Sequence, residues 1–290
     1  MKAKLQIIAA MCLYGTISVF VRNIPLSSAA VALCRAGIAL AALLALQGAR
    51  GRLPNLRAMG RELPLLLLSG TAMGFNWIFL FEAYKYTTVS VATLSYYFAP
   101  VIVMLACPVL FRERLTLRQV VCFVGSTLGL VLVINVGALS AGQHLKGVAF
   151  GLAAAALYAT VVLMNKFLKR VSGLDRTVLQ FAGAAAVLLP YVLLTEGLSF
   201  APMTGPGWAC LLCVGLVHTA LAYVLYFSAL RTLPGQEAAI LSYIDPLVAV
   251  ILSLTLLREP VTPLQLVGGA MILAFTLANE LGGERERQEP

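Results

Sequence analysis

Long apolar stretches separated by short polar ones recur along the whole chain, at 5–22, 27–47, 63–82, 88–111, 116–135, 145–166, 177–195, 207–230, 236–257 and 262–279. Each has about the twenty residues a helix needs to cross hydrocarbon, where only a helix satisfies its backbone within one segment. A decamer at the end of the fourth stretch, LFRERLTLRQ (110–119), returns as LLREPVTPLQ (256–265). The same 146-residue offset carries Phe81 onto Phe227, Ala83 onto Ala229, Tyr97 onto Tyr243 and Pro100 onto Pro246. At an offset of 144, LYGT (13–16) meets LYAT (157–160). Two diverged copies of one unit of about 145 residues explain this, since the period is too long for a solenoid. They cover 1–140 and 141–280, with a charged tail over 281–290. Five helices per copy is an odd number, so the second copy enters the membrane from the opposite side. The pattern predicts an all-α polytopic membrane protein: ten transmembrane helices as two inverted five-helix repeats.

Composition fixes the solvent. With 60% hydrophobic residues, 11% charged and a mean hydropathy of +0.92, the chain carries more apolar surface than a water-soluble core consumes. Charge fixes the orientation, because Lys and Arg stay on the cytoplasmic side during insertion. With the amino terminus inside, the cytoplasmic segments hold Lys2, Lys4, Arg50, Arg52, Arg57, Arg61, Arg112, Arg114, Arg118, Lys166, Lys169, Arg170, Arg176, Arg231, Arg285 and Arg287. The outside holds Arg22, Lys85, Lys146 and Arg258. Both termini are then cytoplasmic, in a plasma (cytoplasmic) membrane. This distribution uses up nearly every basic residue, so the net charge of +9 does not indicate a nucleic-acid partner. Lys2 and Lys4 precede an apolar run as long as a full span with no small-residue cleavage site, so a retained first helix is expected. The six cysteines, Cys12, Cys34, Cys107, Cys122, Cys210 and Cys213, all lie in apolar runs and read as small packing residues. No metal site or cofactor is expected.

Within the repeated decamer, Thr116 with Gln119 and Thr262 with Gln265 form capping boxes that start the next helix, and Pro263 occupies a first helical position. Glu113 and Glu259 read as helix-end carboxylates beside arginines. Gly125-x-x-x-Gly129 and the GGA at 268–270 let helices approach closely, so spans 5 and 10 should pack together or against another protomer. Together with the inverted duplication, Arg35 in CRAGIAL, YYFAPV around Pro100, YIDPLV around Asp245-Pro246, and the two Glu and Thr-x-x-Gln continuations, these features resemble the EamA-type transporters of the drug/metabolite transporter superfamily. The resemblance covers the whole chain. It implies a central cavity lined by spans 1–4 and 6–9, spans 5 and 10 behind, and alternating access. In one respect the chain departs from a symmetric plan: the second-copy position matching Arg35 falls near Leu179 and Gln180, so no second basic residue stands there.

Ionisable groups deep in lipid are costly and mark pathways or paired structural sites. Asp245 and Arg35 both fall near mid-membrane, and either they neutralise each other, or Asp245 accepts from a local hydroxyl such as Ser242, or Asp245 binds a proton or another coupling ion. His218 reads as a satisfied core histidine with a proton relay as the alternative. Asn76, Trp77, Gln180, Tyr14, Tyr158, Tyr97 and Tyr243 are candidates for the cavity wall, where mixed aromatic and amide surface suits organic solutes. Pro100 and Pro246 should kink spans 4 and 9. Glu82, Glu196 and Glu237 at span ends read as solvated boundary charges, and Tyr84, Tyr86 and Tyr191 as interfacial aromatics.

The function expected is a secondary active transporter, an exporter of small organic metabolites such as amino acids. Efflux of cationic aromatic drugs is the alternative within transport. An intramembrane enzyme on lipid head groups is the alternative of another class, disfavoured because the spans hold no HExxH, GxSxG or paired acidic cluster. No P-loop motif occurs, which argues against direct ATP coupling. The oligomeric state is not legible.

Inversion makes a testable demand. Single cysteines at positions 112 and 258, in a cysteine-free background, should label from opposite sides of the membrane. External labelling at both would rule the inversion out.

Overall fold

The structure, a computed structural model, describes residues 2–21, 23–51, 60, 62–86, 92, 95–112, 115–134, 145–168, 171–255 and 262–288. Among these, every regular element is a helix: α1 (Lys2–Val21), α2 (Ser28–Ala49), α3 (Glu62–Tyr86), α4 (Ala99–Phe111), α5 (Leu117–Ile134), α6 (Leu145–Phe167) and α7 (Gly173–Thr195). There follow α8 (Gly205–Leu230), α9 (Gly235–Leu241), α10 (Ile244–Thr255) and α11 (Pro263–Gln288). Six helical segments are long and apolar enough to cross a membrane, namely Lys2–Val21, Ser28–Ala49, Glu62–Ala83, Leu145–Phe167, Gly173–Thr195 and Gly205–Leu230. Shorter apolar helices lie at Ala99–Phe111, Leu117–Leu132 and Leu266–Asn279. Leu117, Val121 and Leu128 of α5, with Leu264, Leu266 and Leu273 of α11, point outward, a surface suited to lipid. The chain is a multi-pass membrane protein.

Helix starts follow local chemistry. Ser27 Oγ accepts from the Ala30 amide (3.2 Å), Ser172 Oγ from Asp175 (3.1 Å) and Thr204 Oγ1 from Gly207 (3.2 Å), each satisfying an amide that the first turn leaves unpaired. The first capping box closes as the spacing predicts: the Gln119 amide donates to Thr116 Oγ1 (3.2 Å) and the Thr116 amide to Gln119 Oε1 (2.9 Å). In the second, α11 begins at Pro263, and the Gln265 side chain lies outside the described residues. So do Glu113, Arg258 and Glu259.

Two stretches that read as single spans are interrupted. The fourth turns at 97–98 before α4, and the ninth turns at 242–243 between α9 and α10. The prolines do not kink continuous helices. Pro100 sits at the start of α4 and Pro246 in the first turn of α10, where a missing N–H is harmless, and the break falls just ahead of each. A third irregularity has no proline: α8 winds as a π-helix over Val214–Leu221. The last helix also outruns its apolar stretch, continuing through Gly282 and Gly283 to Gln288, so the expected tail is largely helical.

The small residues of spans 5 and 10 seat α5 against α11 rather than against another protomer. A Cβ on Gly129 would stand 2.7 Å from the Gly268 carbonyl oxygen, and one on Gly125 would run into the Phe275 ring. Behind the seam, Phe123, Leu130, Tyr243 and Ile272 form a small core, while the main core gathers α1, α2, α3, α4, α6, α7, α8 and α9.

Two charges depart from solvated places, and a third group stays at the boundary as expected. Glu237 is buried and pairs with Lys4 at 2.5 Å, tying α9 to α1. Arg176 is fully buried at the start of α7, where Nε donates to the Val171 carbonyl (3.1 Å) and Nη1 to that of Asn165 (2.9 Å). At the other end, Glu82 Oε1 accepts from Tyr191 and Lys85 (2.6 Å each), Lys85 reaches Glu196 (3.8 Å), and Ser27 donates to Glu196. That cluster joins α2, α3 and α7.

Overpacking the α5–α11 seam should be costly, because the obstacle at Gly129 is backbone. Gly129→Val is expected to lower stability by about 1–3 kcal/mol, while Gly37→Ala, whose new methyl would meet nothing within 4 Å, should not. Thermal unfolding of the purified protein compares the two, and equal midpoints would remove the seam from the argument.

Candidate functional site

A cavity of about 520 Å³ lies between α1, α2, α3, α6, α8 and the two interrupted stretches, within the size range of small-molecule sites. Neither α5 nor α11 lines it. Nor does α7, which the resemblance had placed in the wall; its Phe181 backs Tyr223 from behind at 5.2 Å. Seven of the residues singled out in the sequence meet here: Tyr14, Arg35, Trp77, Tyr97, Pro100, Tyr158 and Asp245.

Asp245 enters from the first turn of α10, an end that favours negative charge. Tyr97 Oη donates to its Oδ2 at 3.0 Å, so one helix break meets the other. Ser242 is not the local donor: its hydroxyl donates to the Ala238 carbonyl at 2.8 Å. Arg35 enters from mid-α2 and lies with its guanidinium carbon 4.2 Å from the centre of the Trp77 ring, a cation–π contact. Its Nε is buried without a hydrogen-bond partner. Among the described residues no ion pair joins Arg35 to Asp245, so one cavity holds two opposite charges not spent on each other.

Aromatic rings make the remaining wall. Tyr14 meets Tyr223 edge-on at 5.3 Å, Trp77 meets Tyr223 at 6.4 Å, and Tyr96 leans on Tyr158 at 5.6 Å. Tyr158 donates to the Tyr226 hydroxyl at 3.1 Å. Tyr96 and Tyr223 were missed in the sequence. Tyr96 adjoins Tyr97 and is carried in by the same turn; Tyr223 lies in an unbroken apolar run and gave no signal.

The other five candidates sit elsewhere. His218, within the π-helical segment, holds Thr16 Oγ1 through Nε2 (2.8 Å) and faces the Cys213 carbonyl through Nδ1 (3.3 Å), the pattern of a satisfied core histidine. Asn76 donates to the Ala154 carbonyl (2.6 Å) and fastens α3 to α6. Gln180 donates to Ser69 Oγ (3.1 Å) and Asn165 Oδ1 (3.0 Å) in a fully buried knot of α3, α6 and α7. Tyr243 bonds Thr127 of α5 (2.7 Å), and Pro246 is buried beside it.

The profile of the EamA-like transporter family matches residues 1–135 and 145–279, and the chain belongs to that family. It is 28% identical to the uncharacterized transporter YxxF of Bacillus subtilis, over 97% of this chain and 91% of that one. It is 25% identical to the threonine/homoserine exporter RhtA of Escherichia coli, over 79% of this chain and 75% of RhtA. A solved crystal structure 19% identical to this chain superposes with a TM-score of 0.83, over 96% of this chain and 97% of the other, and shares its fold. The family and these named relatives are transporters, not enzymes.

The absence of an ion pair has a consequence for stability. Asp245→Asn strands no counter-charge, so it should leave the thermal midpoint near wild type, and its effect should add to that of Arg35→Gln within about 0.5 kcal/mol. A strongly destabilised single variant rescued by the double one would show that the two charges hold each other.

Proposed function

We propose that this member of the EamA-like transporter family is a secondary active transporter that exports small organic metabolites, amino acids among them, from the cytoplasm. The reading rests on one observation: Arg35 and Asp245 face the same aromatic-walled cavity without pairing. A zwitterionic solute presents a carboxylate to the first and an ammonium to the second. The name of RhtA, an amino-acid exporter, supports the same class. Asp245 is the group that takes up a proton or other coupling ion, and Arg35, held over the Trp77 ring, orients the solute carboxylate.

The same reading supplies the architecture: ten spans in two inverted copies, 1–140 and 141–280, with both termini cytoplasmic. The interrupted fourth and ninth spans bring backbone polar groups to the cavity and form the moving parts of alternating access. Efflux of cationic aromatic drugs is the second reading, favoured by the aromatic wall around Asp245. It leaves Arg35 without a task, and competition by uncharged-carboxylate analogues separates the two.

Purified protein in proteoliposomes tests the coupling. Under an imposed proton gradient, Asp245→Asn is expected to abolish accumulation of an amino acid identified by thermal-shift screening, while exchange of that solute persists, because the amide keeps the shape and cannot cycle a proton. Full gradient-driven accumulation by a well-folded Asp245→Asn variant would refute the role.

A further inference from the structure

We infer that the Tyr97–Asp245 hydrogen bond is a latch: it holds α4 closed against α9, and protonation of Asp245, or a solute ammonium that captures the carboxylate, releases it. The inference rests on the proposed role of Asp245 and assigns Tyr97 as the positioning residue that transmits its state.

Tyr97 stands in the turn at 97–98, directly ahead of α4, and Asp245 directly after the turn at 242–243. Their hydrogen bond therefore crosses from one interrupted stretch to the other over 148 residues of sequence. An ionised carboxylate accepts a phenol hydrogen bond with charge assistance, and a protonated one does so about half as strongly. The strength of this tie is thus set by the group that the transport cycle titrates.

What the latch would release is visible below the cavity. There the space shrinks to a void of about 10 Å³, room for roughly one water, between Pro100 and Val103 of α4, Val162 of α6 and Ala238 of α9. Pro100, Tyr158 and Ser242 line both spaces, so the void continues the cavity along the α4–α9 contact. Withdrawing α4 from α9 opens that path toward the end where Lys4 meets Glu237.

Asp245 itself is held. A Cβ on Gly15 of α1 would stand 2.6 Å from the Asp245 carbonyl oxygen and 2.7 Å from Val248 Cβ, so helix α1 grips the α10 backbone while the carboxylate is free to change partner. Among the described residues, the other titratable groups that face that carboxylate or share its cavity are Cys12 and Tyr14 on α1, Tyr96 ahead of α4, Tyr158 on α6, Tyr223 on α8 and Arg35 on α2. Tyr97 is the group whose observed hydrogen bond ties the carboxylate to the start of α4. The arrangement occurs in one copy alone. Tyr243, which matches Tyr97, bonds Thr127, a group that does not titrate, and the position matching Asp245 is Ala99.

Labelling of a cysteine placed in the void reads the latch without a known solute. In inside-out vesicles bearing Ala238→Cys in the cysteine-free chain, a membrane-impermeant maleimide added at the cytoplasmic face should react faster at acid pH than at alkaline pH. Tyr97→Phe, which keeps the ring and removes the hydroxyl, should label at the fast rate at both pH values, about tenfold above the alkaline rate of the parent, the scale of one charge-assisted hydrogen bond. Asp245→Asn should do the same, and the double variant should add nothing. Parent-like pH dependence in Tyr97→Phe with its loss in Asp245→Asn would overturn the latch alone. Parent-like dependence in Asp245→Asn would overturn the Asp245 reading beneath it.

Discussion

A helix interrupted inside lipid leaves amide and carbonyl groups without partners, and irregular backbone is tolerated at that depth only where it faces a cavity or is buried in protein. On the ten-span reading the turns at 97–98 and 242–243 could not have their backbone against acyl chains, and both adjoin one cavity wall, with Tyr96, Tyr97, Ser242 and Asp245 in it. The prolines make the interruptions durable. Neither Pro100 nor Pro246 can donate a backbone hydrogen bond back across the turn, so continuing the helix through it would cost about 3 kcal/mol.

The two halves of the sequence have been put to different uses around that wall. Arg35 has Leu179 and Gln180 near its counterpart position, and Gln180 is buried in a hydrogen-bonded knot with Ser69 and Asn165. Asp245 has Ala99 as its counterpart, and Ala99 lines the cavity as well. The first half thus contributes the cation and the second the carboxylate. On the two-copy reading the counterpart of Asp245 faces the cavity as uncharged Ala99, while that of Arg35 lies outside it, so each charge stands there once in a space where every further charge is expensive.

Much of this was legible because membrane insertion writes itself into sequence at low resolution. Apolar run length located α1, α2, α3 and α6 to within a few residues, and the Thr116–Gln119 spacing located the start of α5. Gly125 and Gly129 indicated the α5–α11 seam because close approach demands the absence of a Cβ. Side-chain direction was not legible. Asn76 and Trp77 are neighbours, yet one fastens α3 to α6 and the other lines the cavity, a difference of 100° around the helix that even an accurate span cannot resolve when both faces are apolar. The π-helical turn at His218 likewise left no mark, since Val214–Leu221 contains neither proline nor a polar cluster. Glu237 was misplaced because a charge at a span end is usually solvated, and its partner Lys4 lies 233 residues away in sequence.

The distribution of polar ties separates frame from moving part. Helices α2, α3, α6 and α7 are joined by directional bonds, buried but for the first: Gln47 to Asp175 at 2.6 Å, Asn76 to the Ala154 carbonyl, Gln180 to Ser69 and Asn165, and Arg176 to two carbonyls. Breaking such a bond in the interior leaves a polar atom unsatisfied, at about 1–3 kcal/mol each, so these helices resist relative motion. Below the cavity, α4 meets its neighbours in part through aliphatic and ring contacts such as Phe111 on Phe167 at 4.8 Å, with Lys166 Nζ 5.6 Å from the Phe111 ring. Apolar contact is non-directional and can slide without stranding a partner. On the transport reading, alternating access then needs no disassembly of the bundle: a frame fixed by buried hydrogen bonds carries the charge that binds the solute carboxylate, and the interrupted stretches shift across it, released or held by a polar tie that depends on the state of Asp245.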